Sequence, residues 1–216
     1  MRALLLPCFA ILSLAFSGCS AIYSIHPLNT SDDAVEEPAL EGTWAPANQA
    51  DDPPLCIQKM NDQVYGLVIS DPDTKAAYLY SVNLVQIDSH LFANLFANGQ
   101  MFDGKEVDPP FGMVAHNIIL KLDVDDSGLN WSVLSPDAIE EQNKSASTPL
   151  SSIALSNDET LLTSSSDDLR QYISIYSDQI FGAQHHYIRK LDTTPPGRAQ
   201  TLCGIPVSEP PGNPNN

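Results

Sequence analysis

Hydrophobic and polar residues alternate along most of the chain with the period of two that is typical of half-buried β-strands. The clearest case is residues 116–124, where His116 shares one face with four aliphatic residues. Turn-forming clusters such as Asp71-Pro72-Asp73 and Asp125-Asp126-Ser127-Gly128 separate the strands. The pattern predicts a mainly β, antiparallel domain of about eight strands, whose alternation suits a barrel with one buried face.

One stretch follows a helical period instead, and it predicts a C-terminal helix over about residues 166–181. Ser165 or Ser166 provides the N-cap, and Asp167 and Asp168 favour the positive end of a helix. The apolar positions recur at intervals of four, three and four residues: Leu169, Ile173, Tyr176 and Ile180. A stripe of this kind buries one side of a helix, so we expect the helix to pack on the outside or the open end of the barrel.

The first residues have the pattern of an export signal. Arg2 is followed by an almost continuous apolar run from Ala3 to Phe16, which is too short for a permanent membrane span. Ser17-Gly18-Cys19 then supplies small residues directly before a cysteine, and the whole resembles a bacterial lipoprotein signal. The resemblance implies cleavage after residue 18 and a lipid on Cys19; the alternative is an ordinary secretory signal that ends near Ala21.

The expected localisation is the cell envelope. A lipid-anchored protein with Ser20 after the cysteine, rather than the Asp of inner-membrane retention signals, is expected at the outer membrane facing the periplasm. Residues 19–38 are polar and acidic and predict a flexible tether, residues 39–192 the barrel domain, and residues 193–216 an irregular tail rich in Pro and Gly. Ile22, Tyr23 and Ile25 lie close to Cys19, and the alternative for them is that they rest on the bilayer surface or on the domain.

The charge of the chain excludes nucleic acid as a partner. Lys and Arg number 10 against 27 Asp and Glu, a formal net charge of −17 that becomes −18 when Arg2 leaves with the signal. Phosphate backbones and anionic lipid headgroups repel such a protein.

Two of the four cysteines remain once Cys8 leaves and Cys19 is acylated. Cys56 and Cys203 in an exported protein predict a disulfide, with two separate buried thiols as the alternative.

The phrase Leu40-Glu41-Gly42-Thr43-Trp44 looks like the Gly-x-Trp opening of lipocalin-like, or calycin-like, barrels. This phrase is followed along the chain by "LFANLF", "HNIILKL" and "LLTSSSDDLRQYI". The four segments in this order resemble a group of uncharacterised bacterial lipoproteins, and the resemblance covers most of residues 37–190. The resemblance implies a barrel whose Trp44 packs across the closed end, with Arg189 stacked over it. It brings no known activity.

Few residues are candidates for a metal-binding or catalytic site. Asp123-x-Asp125-x-Ser127-Gly128 mimics the head of a calcium loop, but Leu134 stands where the bidentate Glu belongs, which favours a hairpin turn. His185 and His186 point to opposite faces of a strand and so do not chelate one metal ion. No catalytic or metal-site motif and no cofactor motif stands out.

Two functions follow as hypotheses, both non-enzymatic. In the first, the barrel binds a small apolar ligand or lipid in a cavity lined by residues such as His116, Tyr78 and Trp131. In the second, the barrel is filled by its own side chains, and its loops contact a partner of the cell envelope. Whether the barrel is hollow decides between them.

Overall fold

The computed structural model describes residues 21–30, 33–47, 52–71, 76–102, 105–107, 116–126, 128–156, 159–190, 201–202 and 205–206. These residues contain fifteen strands, two α-helices and one short 3₁₀-helix. The strands are β1 (Ala21–Ser24), β2 (Ala34–Val35), β3 (Gly42–Pro46), β4 (Leu55–Asn61), β5 (Val64–Asp71), β6 (Ala76–Ile87), β7 (His90–Phe102), β8 (Lys105–Val107), β9 (Asn117–Val124), β10 (Gly128–Val133), β11 (Ser152–Ala154), β12 (Glu159–Leu162), β13 (His185–Lys190), β14 (Thr201–Leu202) and β15 (Ile205–Pro206). The helices are the 3₁₀-helix Pro38–Leu40, α1 (Pro136–Asn143) and α2 (Ser166–Tyr176).

Eight of these strands form a closed antiparallel barrel. Their order around the barrel is β3, β4, β5, β6, β7, β9, β10 and β13, and β13 pairs with β3 to complete the circle. The predicted fold class is therefore confirmed: the protein is mainly β, with an eight-stranded lipocalin-like barrel and a helix near the C-terminus.

The alternation in β9 shows how the sequence specifies the barrel wall. Leu120 and Leu122 point into the barrel, whereas Ile119 points out of it into a second core. Successive positions of β9 therefore contribute alternately to the barrel interior and to the core outside the barrel.

Among the described residues, apolar side chains form a core inside the barrel, of which Trp44, Tyr65 and Tyr187 are the largest and are at most 1% exposed. The other buried members are Leu40, Leu55, Ile57, Leu67, Val82, Leu84, Ala93, Leu95, Leu120, Leu122 and Leu129. An eight-stranded barrel is just wide enough for side chains of this size to fill it.

A second core lies between the outer barrel wall and the helices. Leu169 and Ile173 of α2 pack there against outward-facing side chains of β6, β7 and β9, including Phe92 and Ile119. Ser165 is the N-cap, and its hydroxyl accepts a hydrogen bond from the Asp168 amide. The helix ends at Tyr176, five residues before the predicted end, although Ile180 beyond it is fully buried in the same core.

The expected tether is wrong for the residues that the structure describes. Ala21–Ser24 form β1, which runs parallel to β12 and extends the sheet beyond β9. Ile22 is 6% and Leu28 0% exposed, so this segment contributes to the second core. The flexible tether was predicted from the polar composition of residues 19–38, whereas burial of Ile22 and Leu28 holds this segment on the domain.

Two buried asparagines hold the N-terminal segment on the barrel. The Asn117 amide group donates to the carbonyl oxygens of Ser24 and Ile25 and accepts from Asn94, whose own side-chain oxygen accepts from the Leu28 amide. We call Asn94 and Asn117 the asparagine clasp. Its partners lie more than 60 residues away in sequence.

Strand β7 is longer than the sequence pattern suggested. Gly99, Asp103-Gly104 and Pro109-Pro110 predict a loop over residues 98–110, because these residues interrupt strand pairing. In the structure, β7 continues to Phe102 and pairs with β8. The pairing with β6 shifts between Leu79 and Tyr80, so a bulge absorbs an extra residue on β7. Within the tail expected to be irregular, β14 and β15 pair with each other.

Candidate functional site

The closed end of the barrel is built around Trp44. Its indole N–H donates to the Leu40 carbonyl oxygen at 3.0 Å, and the Arg189 guanidinium lies 4.5 Å from its ring centre. Arg189 also donates to the carbonyl oxygens of Ala39 and Glu41. The arginine thus covers the tryptophan and binds the chain that crosses the end of the barrel.

Gly42 is required at this end for two reasons. Its φ angle is +143°, which side chains disfavour, and a Cβ atom there would lie 2.8 Å from the Arg189 Nη1. The three residues singled out by the lipocalin-like opening, Gly42, Trp44 and Arg189, therefore make one structural unit rather than a binding site.

The open end carries the first group of aromatic side chains. The rings of Tyr23 and His116 are 4.2 Å apart, and both side chains are partly buried. Tyr80 points into the barrel nearby, and burial raises the pKa of its hydroxyl, with smaller contributions from Tyr78 and Tyr23. Tyr78 is 38% exposed.

A second group lies on β10 and β13. Trp131 and His185 stack with ring centres 4.1 Å apart and planes 9° apart. The His185 Nδ1 atom is 2.9 Å from the Asp52 carboxylate. Burial, and then the Asp52 charge, raise the pKa of Tyr187 to about 12. The Tyr187 hydroxyl donates to the Pro53 carbonyl oxygen at 3.3 Å.

The three predicted cavity residues are therefore only partly brought together. Tyr78 and His116 belong to the first group through Tyr80 and Tyr23, whereas Trp131 belongs to the second. Tyr23 was expected to rest on the bilayer surface or on the domain, but it was not predicted as a site residue. Asp52 was missed, because no local pattern links it to a histidine 133 residues away.

Charged and polar side chains dominate a pocket of about 380 Å³ near the turn between β6 and β7. Its lining includes Glu37, His90, Lys121 and Asp123. The Lys121 ammonium is already paired with Asp178 at 2.9 Å, and this contact is the main reason that the pKa of Asp178 is lowered. A pocket of this character does not suit an apolar ligand.

The candidate metal residues have other partners. Asp125 closes the β9–β10 hairpin by accepting from the Gly128 amide at 3.0 Å, in keeping with the hairpin interpretation. His186 lies on the outer face with its Nδ1 atom 2.6 Å from Asn130, opposite in direction to His185. Among the described residues, no group of three or more His, Cys, Asp or Glu side chains is placed to hold a metal ion.

The described residues test only part of the predictions made for the cysteines. Cys19 and Cys203 lie outside the described residues, so lipid attachment and the pairing of Cys203 stay predictions. Cys56 in β4 is disulfide-bonded.

Fold and closed end together define a lipocalin-like barrel protein with a second core outside the barrel. Comparison with family models, with curated proteins and with solved structures found no match to this chain. Within the described ranges, neither α-helix has the length and apolar character needed to span a membrane.

Proposed function

We propose that the protein is a lipid-anchored, non-enzymatic component of the bacterial cell envelope that acts by contacting a partner through its outer surface and loops. The anchor is Cys19, and the expected site is the periplasmic face of the outer membrane. The observation that carries the choice is the apolar core inside the barrel, where Tyr65, Leu95 and Tyr187 are buried in space that a carrier would leave for its cargo.

The Asp52–His185 pair is part of this structural interpretation rather than a catalytic dyad. One face of the imidazole is covered by Trp131 at 4.1 Å, and both members of the pair are about three-quarters buried. His185 lies between the Trp131 indole and the Asp52 carboxylate and so joins the segment at Asp52 to β13.

The partner is tested by crosslinking in intact cells. Photoreactive residues introduced at exposed positions such as Met60 and Ile175 should yield a defined envelope partner, identified by mass spectrometry after the membranes are solubilised. A matched probe at the buried Leu84 should yield none. Failure of every exposed position to enrich an envelope component over this control would contradict the proposal.

A small apolar ligand at the open end is the second candidate, favoured by the partly exposed Tyr78 beside Tyr80. Native mass spectrometry of the protein from its own envelope distinguishes the two. A retained small molecule that disappears in Tyr78→Ala would support the ligand, whereas a ligand-free mass supports the filled barrel.

A further inference from the structure

The sheet formed by β11, β12 and β1 extends beyond the barrel. One of its faces contributes Ile22 and Leu162 to the second core. Directly paired residues share a face, and Ile153, Leu161 and Tyr23 are paired across the three strands on the opposite face. On this face Leu161 is buried and Tyr23 partly buried, whereas the side chains at the β11 edge are exposed. Leu155 and Glu159 lie on the same side, because the Leu155 amide donates to the Glu159 carbonyl oxygen. We call these five residues the extension face.

Two aliphatic side chains of this face are its most exposed large hydrophobic residues. Ile153 is 56% exposed on β11, an edge strand that has no neighbour among the described residues on its outer side, and Leu155, directly after this strand, is 54% exposed. Adjacent exposed apolar residues on a sheet edge invite contact with another surface.

The position of the predicted anchor indicates which surface that is. Ala21 pairs with Glu159 at the start of β1, beside the end of β11. Cys19 is two residues earlier, so covalent geometry keeps it within ~7 Å of Ala21. A lipid on Cys19 therefore enters the membrane at one corner of the extension face.

We propose that the extension face lies against the bilayer that holds the anchor, with Ile153 and Leu155 in the interfacial region. This inference rests on the proposed function, because it requires acylated Cys19. The face then acts as the second membrane contact of the protein and fixes its orientation. The open end of the barrel, which adjoins the face through the contact between Tyr23 and His116, is turned toward the lipid.

The negative charge of Glu159 on the extension face indicates which type of lipid headgroup the face contacts. Glu159 is exposed, and its carboxylate is near enough to Tyr23 to contribute, after burial, to the raised pKa of that hydroxyl. A carboxylate at headgroup depth is compatible with the ammonium of a zwitterionic ethanolamine phospholipid and is repelled by an anionic surface. We therefore infer a zwitterionic leaflet as the surface that is bound.

Depth-dependent fluorescence quenching tests the inference on the acylated full-length protein. Leu155→Cys is labelled with an environment-sensitive dye, and the protein is reconstituted in ethanolamine phospholipid vesicles that contain a nitroxide-labelled lipid. The matched control is Ile188→Cys, which is 47% exposed on β13, four strands from β12 around the sheet.

We expect quenching at position 155 to exceed that at position 188 several-fold, and we expect the difference to shrink when phosphatidylglycerol replaces the zwitterionic lipid. Equal quenching at the two positions in acylated protein would overturn the inference. So would protection of position 155 that appears in a dimer without vesicles, because a second copy would then cover the face. Ile153→Cys repeats the test if the first variant does not fold.

The intact mass separates this failure from a failure of the proposed function. Protein whose mass lacks the acyl chains on Cys19 contradicts the anchor itself. Acylated protein with an unquenched position 155 contradicts only the orientation.

Discussion

Arg189 shows most clearly how one residue joins separate parts of the fold. Its guanidinium covers Trp44 and donates to two carbonyl oxygens of the chain that closes the barrel, while Gly42 leaves the space that it needs. A planar group with several donors suits this position, and a lysine would not reproduce it.

Gly42→Ala should destabilise the protein by about 1–3 kcal/mol, because alanine is strained at this φ angle and its Cβ would meet the Arg189 side chain. Urea unfolding monitored by tryptophan fluorescence measures the change. The control is Gly99→Ala, where no atom lies within 4 Å of the added carbon. Equal stability of the two variants would contradict the assigned role of Gly42.

The Tyr172 hydroxyl lowers the stability of the folded state. Its side chain is 2% exposed, and its hydroxyl is buried without a hydrogen-bond partner in the part of the chain that the structure describes. Tyr172→Phe should therefore leave the free energy of unfolding unchanged or raise it by about 1 kcal/mol.

The same residue predicts a pH dependence. Burial, and then Tyr176, raise the pKa of Tyr172 to about 12 from 10.0 in the unfolded chain. The folded state therefore disfavours ionisation, and its stability should fall as the pH rises from 10 to 12. The free energy of unfolding of Tyr172→Phe should fall less steeply between pH 10 and 12. Some of the decrease should remain in this variant, because the pKa of Tyr187 is also raised. An identical slope for wild type and variant would show that Tyr172 ionises freely.

At the scale of elements, the N-terminal segment depends on the asparagine clasp. Asn117→Ala removes its hydrogen bonds to β1 and to Asn94 and leaves buried polar groups unpaired, at a cost of about 3 kcal/mol. We expect proteolysis to cut first within residues 21–30 in this variant. Asn98→Ala, which removes an exposed hydrogen bond to Ser81, should change the stability by less than about 0.5 kcal/mol.

The disulfide gives a second prediction at this scale. Cys56 is disulfide-bonded, and Cys203 is the expected partner. Cys203→Ser should expose a Cys56 thiol to alkylation and cost ~3 to 5 kcal/mol in the chain-entropy model. A peptide map without reduction that joins Cys56 to another cysteine would contradict the pairing.

Local patterns predicted much of the element structure, and distant partners decided the rest. The alternation around Leu120 and the N-cap at Ser165 depend on neighbours in sequence, so they were visible. Ile22 was expected either on the bilayer surface or on the domain, and the burial of Leu28 was not predicted, because the clasp and the second core that explain it lie far along the chain. Gly99 predicts a loop locally, whereas its place in β7 depends on its pairing with Leu79 beside the bulge.

The candidate site was less predictable than the fold. Tyr78, His116 and Trp131 were chosen from facing alone, but their grouping depends on Tyr23 and on the contact between Asp52 and His185. Contacts between residues so distant in sequence leave no signal in local periodicity.

For the whole molecule, the described segment from residue 21 is part of the fold, so the lipid proposed on Cys19 would be joined closely to the domain and not through a long tether. Under the proposed function, this short connection holds the protein at the membrane in a defined orientation, with its remaining surface available to a partner.

The most direct test is the identity of the mature N-terminus of protein purified from envelope membranes of its own source. We predict, by intact mass and fragmentation, a chain that begins at Cys19 and carries a diacylglycerol and an amide-linked acyl chain, found in the outer-membrane fraction and shifted to the soluble fraction by Cys19→Ala. An unacylated chain in the soluble periplasm, beginning after Cys19, would contradict the account.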